Sequence, residues 1–465
     1  MEGFRGMSSS ITTRRTITLD GNQASVIVLG DSAFQKGTVT VTNGRAGDHP
    51  AIFRFLQNIF RLPTSTDYAA QLEDPQYEPR DRIVAKLGNQ IIGHARVQMR
   101  DIQFGDVQIP VGFLCEMATA PEFRKQGIGT ALLEQAEQLM LEQGAILGIL
   151  RTPAVSFYRD HGWSVGGQHS YSMTSPRSIL SLLRQTVLEE EPETTNPLEE
   201  PQKPLNVRIW RHVEQEALMR LYKQNLSGKF GAIVRTDATW RWLLNRHSFE
   251  QVYVAIDGPK KLTIESGFDS IVGYAIVKHG RILELLTDES RPDIVPDLLE
   301  RVCSDVIEQK DVPVRLDAPD GDPLHQLMKD AGGEFLRRTV VGGEVILSKV
   351  FNPLTLLKQV RHLLNDRAQA ANIPLPASLG LVLDGKAYTL TLTPRSAKVT
   401  RGKTGKSHLT MAKSVFSQLL LGVYSAEDAF EANEIEASTK VAKQLAMTIF
   451  QQLPGHMPPL DDLLA

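Results

Sequence analysis

The most informative part of the sequence is a short basic, glycine-rich stretch: Arg124-Lys125-Gln126-Gly127-Ile128-Gly129-Thr130. It follows an extended apolar run, 111–119, and leads into an amphipathic pattern that predicts a helix over 128–143. Because the glycines lack a Cβ, a phosphate can approach their backbone, and the first N–H groups of a helix have no acceptors of their own. The helix dipole and the two basic side chains add positive charge. We therefore expect a pyrophosphate-binding turn between a strand and a helix.

Two common phosphate-binding motifs fit this turn poorly, because the spacing is not Gly-x-Gly-x-x-Gly and no Gly-Lys-Ser/Thr is present. A plain turn with a chance glycine pattern is the alternative. The order Pro121-Glu122-Phe123-Arg124-Lys125-Gln126-Gly127-Ile128-Gly129, then Ala131-Leu132-Leu133, resembles the acetyl-CoA signature of the GNAT superfamily of N-acetyltransferases. The resemblance implies acetyl-CoA as the co-substrate. It assigns the pantetheine arm to the backbone of Met117, Ala118 and Thr119, and the pyrophosphate to Arg124, Lys125, Gln126, Gly127, Ile128, Gly129 and Thr130.

Length and composition limit the class of protein. A chain of 465 residues is too long for one core and suggests about three domains. With 42% hydrophobic and 23% charged residues it has a soluble, globular composition, and no apolar run approaches the roughly 18 residues that span a bilayer. The N-terminus lacks a signal pattern, so we expect a cytoplasmic protein with no membrane partner. A net charge of -3 spread along the chain argues against a nucleic-acid partner.

The two cysteines, Cys115 and Cys303, lie far apart in apolar surroundings. A disulfide framework or a zinc site is therefore improbable, and we expect two buried thiols and no metal.

The pattern around the glycine-rich turn predicts alternating strands and helices. A helix over 51–60 has Asp48 as its N-cap and Pro50 in its first turn, and Gly144 can end the helix that starts at residue 128. Gly88-Asn89 predicts a hairpin. The expected strands are 38–42, 83–87, 90–99, 111–119 and 145–150. This order resembles that of a GNAT domain.

Two residues near the turn are candidates for acid–base chemistry. Tyr158 precedes Gly162-Trp163, and in GNAT domains a tyrosine at this place lies beside the thioester sulfur, where a phenol could donate a proton or a hydrogen bond to the departing thiolate. The alternative is a half-buried tyrosine that packs on the sheet. Glu116, on the strand before the turn, could deprotonate the amine directly or through a water. Strand alternation could equally place Glu116 on the far face, paired with a basic residue.

A second unit of the same type is expected after an acidic, proline-broken linker. Ile92-Gly93-His94-Ala95-Arg96-Val97 is echoed by Val272-Gly273-Tyr274-Ala275-Ile276-Val277, which indicates an internal repeat. The loop 288–293, Asp-Glu-Ser-Arg-Pro-Asp, has no glycine pair and three carboxylates, which would repel a pyrophosphate. We therefore expect a structural copy that lacks the cofactor site.

A third pattern begins at Phe351: a helix, a hairpin at Asp384-Gly385, further strands and two helices. It resembles the sterol carrier protein-like domain. The predicted fold class is α+β, with tandem GNAT folds (mixed central sheets flanked by helices) followed by an α/β sterol carrier protein-like domain. The predicted divisions are an N-terminal extension, 1–37, an active GNAT domain, 38–186, a linker, 187–204, a degenerate GNAT-like domain, 205–350, and the C-terminal domain, 351–465.

This combination resembles the enhanced intracellular survival (Eis) family of N-acetyltransferases. The resemblance implies a homo-hexamer and transfer of acetyl to amines such as aminoglycosides, polyamines or lysine side chains. It also implies that the C-terminal carboxylate acts as base, which here is that of Ala465, although this tail lacks the aromatic end that the family more often has. The competing classes are a non-catalytic acyl-CoA-binding regulator and a lipid-binding protein that uses the C-terminal domain.

Overall fold

The computed structural model divides the chain into two compact units. The first contains the described residues up to Arg100 and 110–151, and the second contains 101–109 and the described residues from Thr152 to 461. The structure describes residues 13–19, 22–28, 38–190, 206–246, 248–257, 270–309, 311–402, 404–456 and 459–461.

The first unit is built on the greater part of one mixed sheet. Its strands are β1 Thr13–Leu19, β2 Asn22–Val28, β3 Thr38–Asn43, β4 Arg82–Leu87, β5 Gln90–Phe104, β6 Val107–Thr119 and β7 Leu147–Thr152. They lie side by side in chain order. Strands β5, β6 and β7 each extend by one or a few residues into segments of the second unit. The pairs from β1 to β5 are antiparallel, whereas β7 runs parallel to β6 because a helix connects them.

Three helices belong to this unit: α1 His49–Phe60, α2 Ser65–Leu72 and α3 Ile128–Glu142. The apolar face of α3 is fully or almost fully buried and packs on β3 and β4. Gly144, with φ 88°, ends α3 as predicted: the N–H of Ala145 donates to the carbonyl of Met140. Asp48 is the N-cap of α1, but its carboxylate accepts from the Arg45 N–H and the Lys86 ammonium instead of from the helix.

The second unit begins with α4 Val155–Asp160, β8 Ser164–Val165, β9 His169–Thr174 and α5 Pro176–Glu190. The helix α5 covers the first residues of the predicted linker, and the rest of that linker lies outside the described residues. A long mixed α and β segment follows: β10 Asn206–Ile209, α6 Gln215–Gln224, β11 Phe230–Ile233, α7 Asp237–Asn245, β12 Gln251–Ile256, β13 Ile271–Lys278, β14 Arg281–Thr287, α8 Val295–Gln309, β15 Val314–Asp317, α9 Pro323–Asp330 and β16 Glu334–Arg338.

This segment forms a seven-stranded sheet with the order β10-β12-β13-β14-β15-β9-β16. Its first five strands are paired as β3 to β7 are: antiparallel up to β14, then parallel between β14 and β15. The repeated sequence lies at the same place in both sheets, because Gly93 pairs with Ala85 and Gly273 pairs with Ala255. A Cβ on Gly93 would lie 2.9 Å from Leu132 Cδ1 and one on Gly273 would lie 2.6 Å from Ile294 Cδ1, so close packing favours glycine at both positions.

The rest of the chain carries β17 Val340–Val341, β18 Glu344–Val350, α10 Pro353–Ala370, β19 Ala377–Leu383, β20 Lys386–Leu392, β21 Ala397–Arg401, β22 His408–Met411, α11 Lys413–Leu420, α12 Ala426–Glu431, β23 Ile435–Ala437 and α13 Lys440–Ile449. A separate five-stranded sheet has the order β21-β20-β19-β22-β23. Leu383 pairs with Lys386, which confirms the predicted hairpin at Asp384-Gly385. Within the described residues, no helix is both long and apolar enough to cross a membrane.

Candidate functional site

A gap opens between two neighbouring strands of the first unit. The parallel pairing of β6 with β7 covers Val111 to Leu114 on β6, and Leu114 is opposite Leu150. Beyond that pair β6 continues to Thr119 without pairing to β7. The end of β6 is therefore extended backbone that β7 does not cover, and a ligand could lie beside it. The predicted pantetheine-binding residues, Met117, Ala118 and Thr119, are in this part of β6.

The basic glycine-rich turn follows β6 directly and forms the start of α3. Gly127 is the N-cap of α3 with φ 79°, a left-handed conformation that favours glycine, and a Cβ there would meet no atom within 4 Å. The first backbone hydrogen bond of α3 runs from Ala131 N–H to the Gly127 carbonyl, so helix geometry leaves the N–H groups of Ile128, Gly129 and Thr130 without acceptors inside the helix. The exposed Arg124 is fixed by its Nε, which donates to the Thr119 carbonyl at 3.2 Å.

These features fit a pyrophosphate group. The space over Gly127 is open, the free N–H groups belong to a helix of 15 residues, and two exposed cations, Arg124 and Lys125, flank them. Among the described residues, no three His, Cys, Asp or Glu side chains are grouped so as to hold a metal ion.

Glu116 lies on β6 just before the predicted pantetheine residues, in an unusual backbone conformation. Its φ is 51°, in the left-handed region, which costs about 1–3 kcal/mol for a residue other than glycine. The side chain compensates, since its carboxylate accepts hydrogen bonds from Gln71 Nε2 at 2.7 Å and Arg82 Nη1 at 2.8 Å. Arg96 Nε lies 3.5 Å from the same carboxylate. Glu116 lies two residues after Leu114, the last residue of β6 that pairs with β7.

A neutral histidine connects the Glu116 backbone to the same arginine. His94 is completely buried, and burial, together with the charge of Arg82, lowers its pKa to about 3. Its Nδ1 lies 3.0 Å from the Glu116 carbonyl, an acceptor, so Nδ1 carries the proton. Nε2 is then free to accept from Arg82 Nη1 at 3.3 Å.

The electrostatics of this cluster keep Glu116 ionised. Burial alone would raise the pKa of its carboxyl, but Arg96, Arg82 and the hydrogen bond from Gln71 outweigh burial and lower the pKa to about 2. A carboxylate with this pKa is a weak base, and two arginines already hold its charge. The geometry therefore favours the paired interpretation of Glu116 over the catalytic one.

A row of polar side chains extends from this cluster along one face of β5, and sequence reasoning did not single it out. All four members are buried: His94, Arg96, Gln98 and Arg100. Arg100 forms an ion pair with the buried Asp74, and Gln98 Nε2 also donates to Asp74. The alternation of polar residues at every second position of an otherwise apolar strand was the available signal, but by itself it predicts a solvent-exposed face.

Tyr158 lies in α4, in the second unit, and is 7% exposed. Its ring makes edge contacts with Phe157 and Trp163, at centroid distances of 5.0 and 6.3 Å. Burial raises the pKa of its phenol to about 12. The hydroxyl is therefore protonated at neutral pH and can donate a hydrogen bond. Ala465 lies outside the described residues.

Both cysteines are buried thiols that form no disulfide, as predicted. Burial raises the pKa of the Cys303 thiol, and Cys115 Sγ donates to Gln98 Oε1 at 3.4 Å. Neither is in the surroundings of a reactive thiolate.

Comparison with known families identifies the domain that contains the glycine-rich turn. The family described as "Acetyltransferase (GNAT) domain" matches residues 40–166. The chain therefore carries a GNAT acetyltransferase domain and is an enzyme of the N-acetyltransferase class. Enzymes with this domain use acetyl-CoA as the co-substrate and amines as acceptors. A search of curated proteins found no match.

Solved structures resemble the chain over most of its length. A GCN5-related N-acetyltransferase from Anabaena variabilis has 16% identity and a TM-score of 0.67, with 90% of this chain and 99% of that chain covered. One from Kribbella flavida has 14% identity and a TM-score of 0.67, with 91% and 98% covered. Eis1 from Mycobacterium abscessus has 14% identity and a TM-score of 0.58, with 90% and 99% covered. At these identities the likeness concerns the fold.

Proposed function

We propose that the protein transfers acetyl from acetyl-CoA to a primary amine by direct attack. The observation that best supports the proposal is the continuity, within the first unit, between the part of β6 that extends past its last pair with β7 and the open N-terminus of α3 at Gly127. A chain with amide groups can pair with the strand edge while its pyrophosphate reaches the helix N–H groups. The ten residues from Met117 to Thr119 and Arg124 to Thr130 are the proposed cofactor contacts.

In this proposal the amine attacks the thioester carbonyl and the CoA thiolate leaves. Tyr158 donates to the departing sulfur. Since its pKa is about 12 and that of an ordinary thiol is about 8.5, complete proton transfer would be uphill, so Tyr158 stabilises the thiolate mainly by a hydrogen bond.

The base that receives the amine proton is proposed to be the C-terminal carboxylate of Ala465, as the resemblance to the Eis family implies. Glu116 is the alternative base, and its ion pairs with Arg82 and Arg96 count against it. We propose that Glu116 instead positions β6, because it holds the backbone at the point where β6 extends past its pairing with β7.

We propose a tandem arrangement for the whole chain. The equal order and pairing of β3–β7 and of β10 and β12–β15 support a second GNAT-type copy. The helix, hairpin and five-stranded sheet after Phe351 support a sterol carrier protein-like domain. The fold likeness to Eis1 supports an enzyme of the Eis type. A cytoplasmic location, a homo-hexamer and acceptors such as aminoglycosides, polyamines or lysine side chains are proposed from that resemblance.

A panel of acceptors tests the proposal. Acetyl-CoA is incubated with the protein and an aminoglycoside, a polyamine or a lysine peptide, and free thiol is monitored. We expect thiol release that depends on one class of amine. Release at an equal rate without any amine would indicate thioester hydrolysis and contradict the proposal. Tight CoA binding without release for any amine would support the regulator instead.

A further inference from the structure

A second cleft, in the second unit, occupies the place that the proposed pantetheine site has in the first. The pairing of β14 with β15 covers only Arg281 and Ile282 on β14, opposite Arg315 and Leu316. Beyond Ile282 a cavity of about 100 Å³ opens. One water needs about 10–15 Å³ by the same measure, so this cavity has room for part of a ligand chain. Its apolar lining includes Phe230, Leu283, Leu285, Leu286, Leu316 and Leu324.

The carboxylates that line this cleft are already paired. Glu284 accepts from Arg235 with both oxygens and from the Tyr274 hydroxyl at 2.6 Å. Asp317 accepts from Arg281 and Arg315, and Asp322 accepts from the Leu324 N–H at 2.9 Å. Arginines thus neutralise Glu284 and Asp317, and Asp322 is the N-cap of α9, so each of these carboxylates has a partner in the protein.

Two further side chains define the polarity of the cleft. Lys229 is the cation among the described lining residues and is exposed. The pKa of His456, another lining residue, is lowered to about 4 by burial, so its imidazole is neutral at pH 7. The interior of the cleft is thus suited to an uncharged ligand.

The end of β14 is not suited to phosphate. Arg291 in the following loop forms ion pairs with Asp257 and Asp293. The first turn of α8 contains Pro296, which has no N–H to donate, and Asp297, which adds negative charge. A pyrophosphate bound at the start of α8 would therefore have fewer N–H donors than one bound at the start of α3, and it would lie near carboxylates.

The edge of β14 that faces the cleft supplies hydrogen-bonding groups. No strand in the described part of the chain pairs with this edge beyond Ile282. The Thr287 carbonyl, at its far end, accepts from Asn225 Nδ2 at 2.8 Å. The stretch between these residues is extended backbone, with which an amide-containing chain can pair as an added strand would.

We propose that this cleft binds an uncharged, amide-containing chain of the pantetheine type that lacks phosphates. The inference rests on the proposed second GNAT-type copy, but not on catalysis by the first unit. It assigns the second copy a ligand of its own, although its phosphate-binding turn is replaced by an acidic loop.

Calorimetric titration of the full chain with pantetheine tests this proposal. The protein is first saturated with CoA, which occupies the proposed site in the first unit. We then expect one pantetheine per chain, and two per chain when CoA is omitted. A diol of the same length without amides should bind at least about tenfold more weakly, since the hydrogen bonds of the amides are lost.

Two variants test whether pantetheine binds in the cleft. Leu286→Trp and Leu226→Trp each fill it from a partly exposed position and should weaken pantetheine binding in the CoA-saturated protein at least about tenfold. The control is Leu141→Trp, on the exposed face of α3, which should leave binding unchanged. Absence of pantetheine binding to the CoA-saturated protein, or equal binding by all three variants, would overturn the proposal. Failure of CoA itself to bind would instead contradict the proposed function, and the two tryptophan variants would still test the cleft.

Discussion

The Glu116 carboxylate is stabilised by several side chains of the first unit. Its side chain is 12% exposed. Arg82 and Arg96 form ion pairs with Oε2, and Gln71 Nε2 donates to Oε1. The second unit has a glutamate, Glu284, at the corresponding place. Glu116 lies four residues before Ala120, whose N–H donates to the carbonyl of Ile92 at the start of the repeated sequence. Glu284 likewise lies four residues before Asp288, whose N–H donates to the carbonyl of Val272. Glu284 is also held by an arginine, Arg235. Because a glutamate occupies this place also in a sheet that is not followed by a glycine-rich turn, we interpret it as a structural feature of the strand.

The acid stability of the first unit should depend on Glu116. A pKa lowered from 4.5 to about 2 contributes stability that is present above pH 4.5 and lost as the pH falls towards 2, worth about 3 kcal/mol in all. Glu116→Gln should remove this pH dependence, and at pH 7 it should cost about 3–5 kcal/mol because the arginines lose their counter-ion. Urea unfolding at pH 7, 4.5 and 3 measures both effects. The exposed Glu122→Gln is the control, and equal pH dependence in Glu116→Gln and wild type would contradict the interpretation.

Tyr158 should act through its hydroxyl. Tyr158→Phe keeps the ring and its contacts with Phe157 and Trp163, so acetyl-CoA affinity should be retained while turnover falls between about 10²- and 10⁴-fold. Steady-state kinetics and CoA titration separate the two effects. Tyr388→Phe, at another buried tyrosine, should leave turnover unchanged. Because the pKa of Tyr158 is about 12, its ionisation should cause no loss of rate between pH 8 and about 10. An equal loss of affinity and turnover would indicate packing instead.

At the scale of elements, short sequence patterns correctly predicted helix ends and a hairpin turn, because these features depend on residues that are close together in the chain. The start and end of α3 were predicted to within one residue, because Gly127 and Gly144 must adopt left-handed conformations at its two ends. The hairpin at Gly88-Asn89 was confirmed by the pair Leu87 and Gln90. In contrast, α2 was not predicted. Its eight residues carry one buried side chain, Tyr68, and so show no apolar face, although Thr64 and Asp67 form a capping box.

The Glu116 cluster shows why side-chain pairing could not be predicted. Arg82 and Gln71 lie 34 and 45 residues away in the chain, and only the sheet and α2 bring them to the carboxylate. The polar residues along β5 look like an exposed face in the sequence, whereas the structure buries them. Burial of charge depends on partners from distant segments, which periodicity does not reveal.

The two ends of α3 offer a matched test of the cofactor site. Gly127 and Gly144 both have positive φ, 79° and 88°, and a Cβ at either would meet no atom within 4 Å. Gly127→Leu and Gly144→Leu should therefore cost similar stability, about 1–2 kcal/mol. Only the change at Gly127 should weaken CoA binding, because its side chain would occupy the space over the free N–H groups. Titration calorimetry measures the affinity of each variant for CoA. Equal affinity in the two variants would contradict pyrophosphate binding at the Gly127 turn.

At the scale of the whole molecule, the internal repeat was predicted from six residues, and these segments lie on β5 and β13, each the third strand of its series in the sheet. That the second segment belongs to a GNAT-type copy stays a prediction. The glycine in each repeat has a packing reason that the sequence alone could not supply, since a Cβ on Gly93 would lie 2.9 Å from Leu132 and one on Gly273 would lie 2.6 Å from Ile294. The cleft beside β14 could not be predicted, because a gap between strands depends on where their pairing ends.

The chain terminus should matter for turnover if its carboxylate is the base. Residues added after Ala465 would move that charge, and removal of Leu463 to Ala465 would withdraw it. Both changes should lower turnover strongly while CoA binding persists, whereas a terminus outside a site tolerates a short extension. Turnover and CoA titration are measured together, with Glu116→Gln for comparison. Full activity in both tail variants, with activity abolished in Glu116→Gln, would make Glu116 the better candidate.

In the proposed reaction, acetyl passes from acetyl-CoA to an amine while the cofactor is held at Gly127. The most direct test measures free thiol and acetylated amine in the same reaction, by thiol titration and mass spectrometry, with the full chain and the best acceptor of the panel. We expect equal amounts of thiol and acetylated amine in the wild type and in Gly144→Leu, and a large loss of both in Gly127→Leu. Thiol release without acetylated amine, or undiminished acetylation in Gly127→Leu, would contradict the proposed reaction.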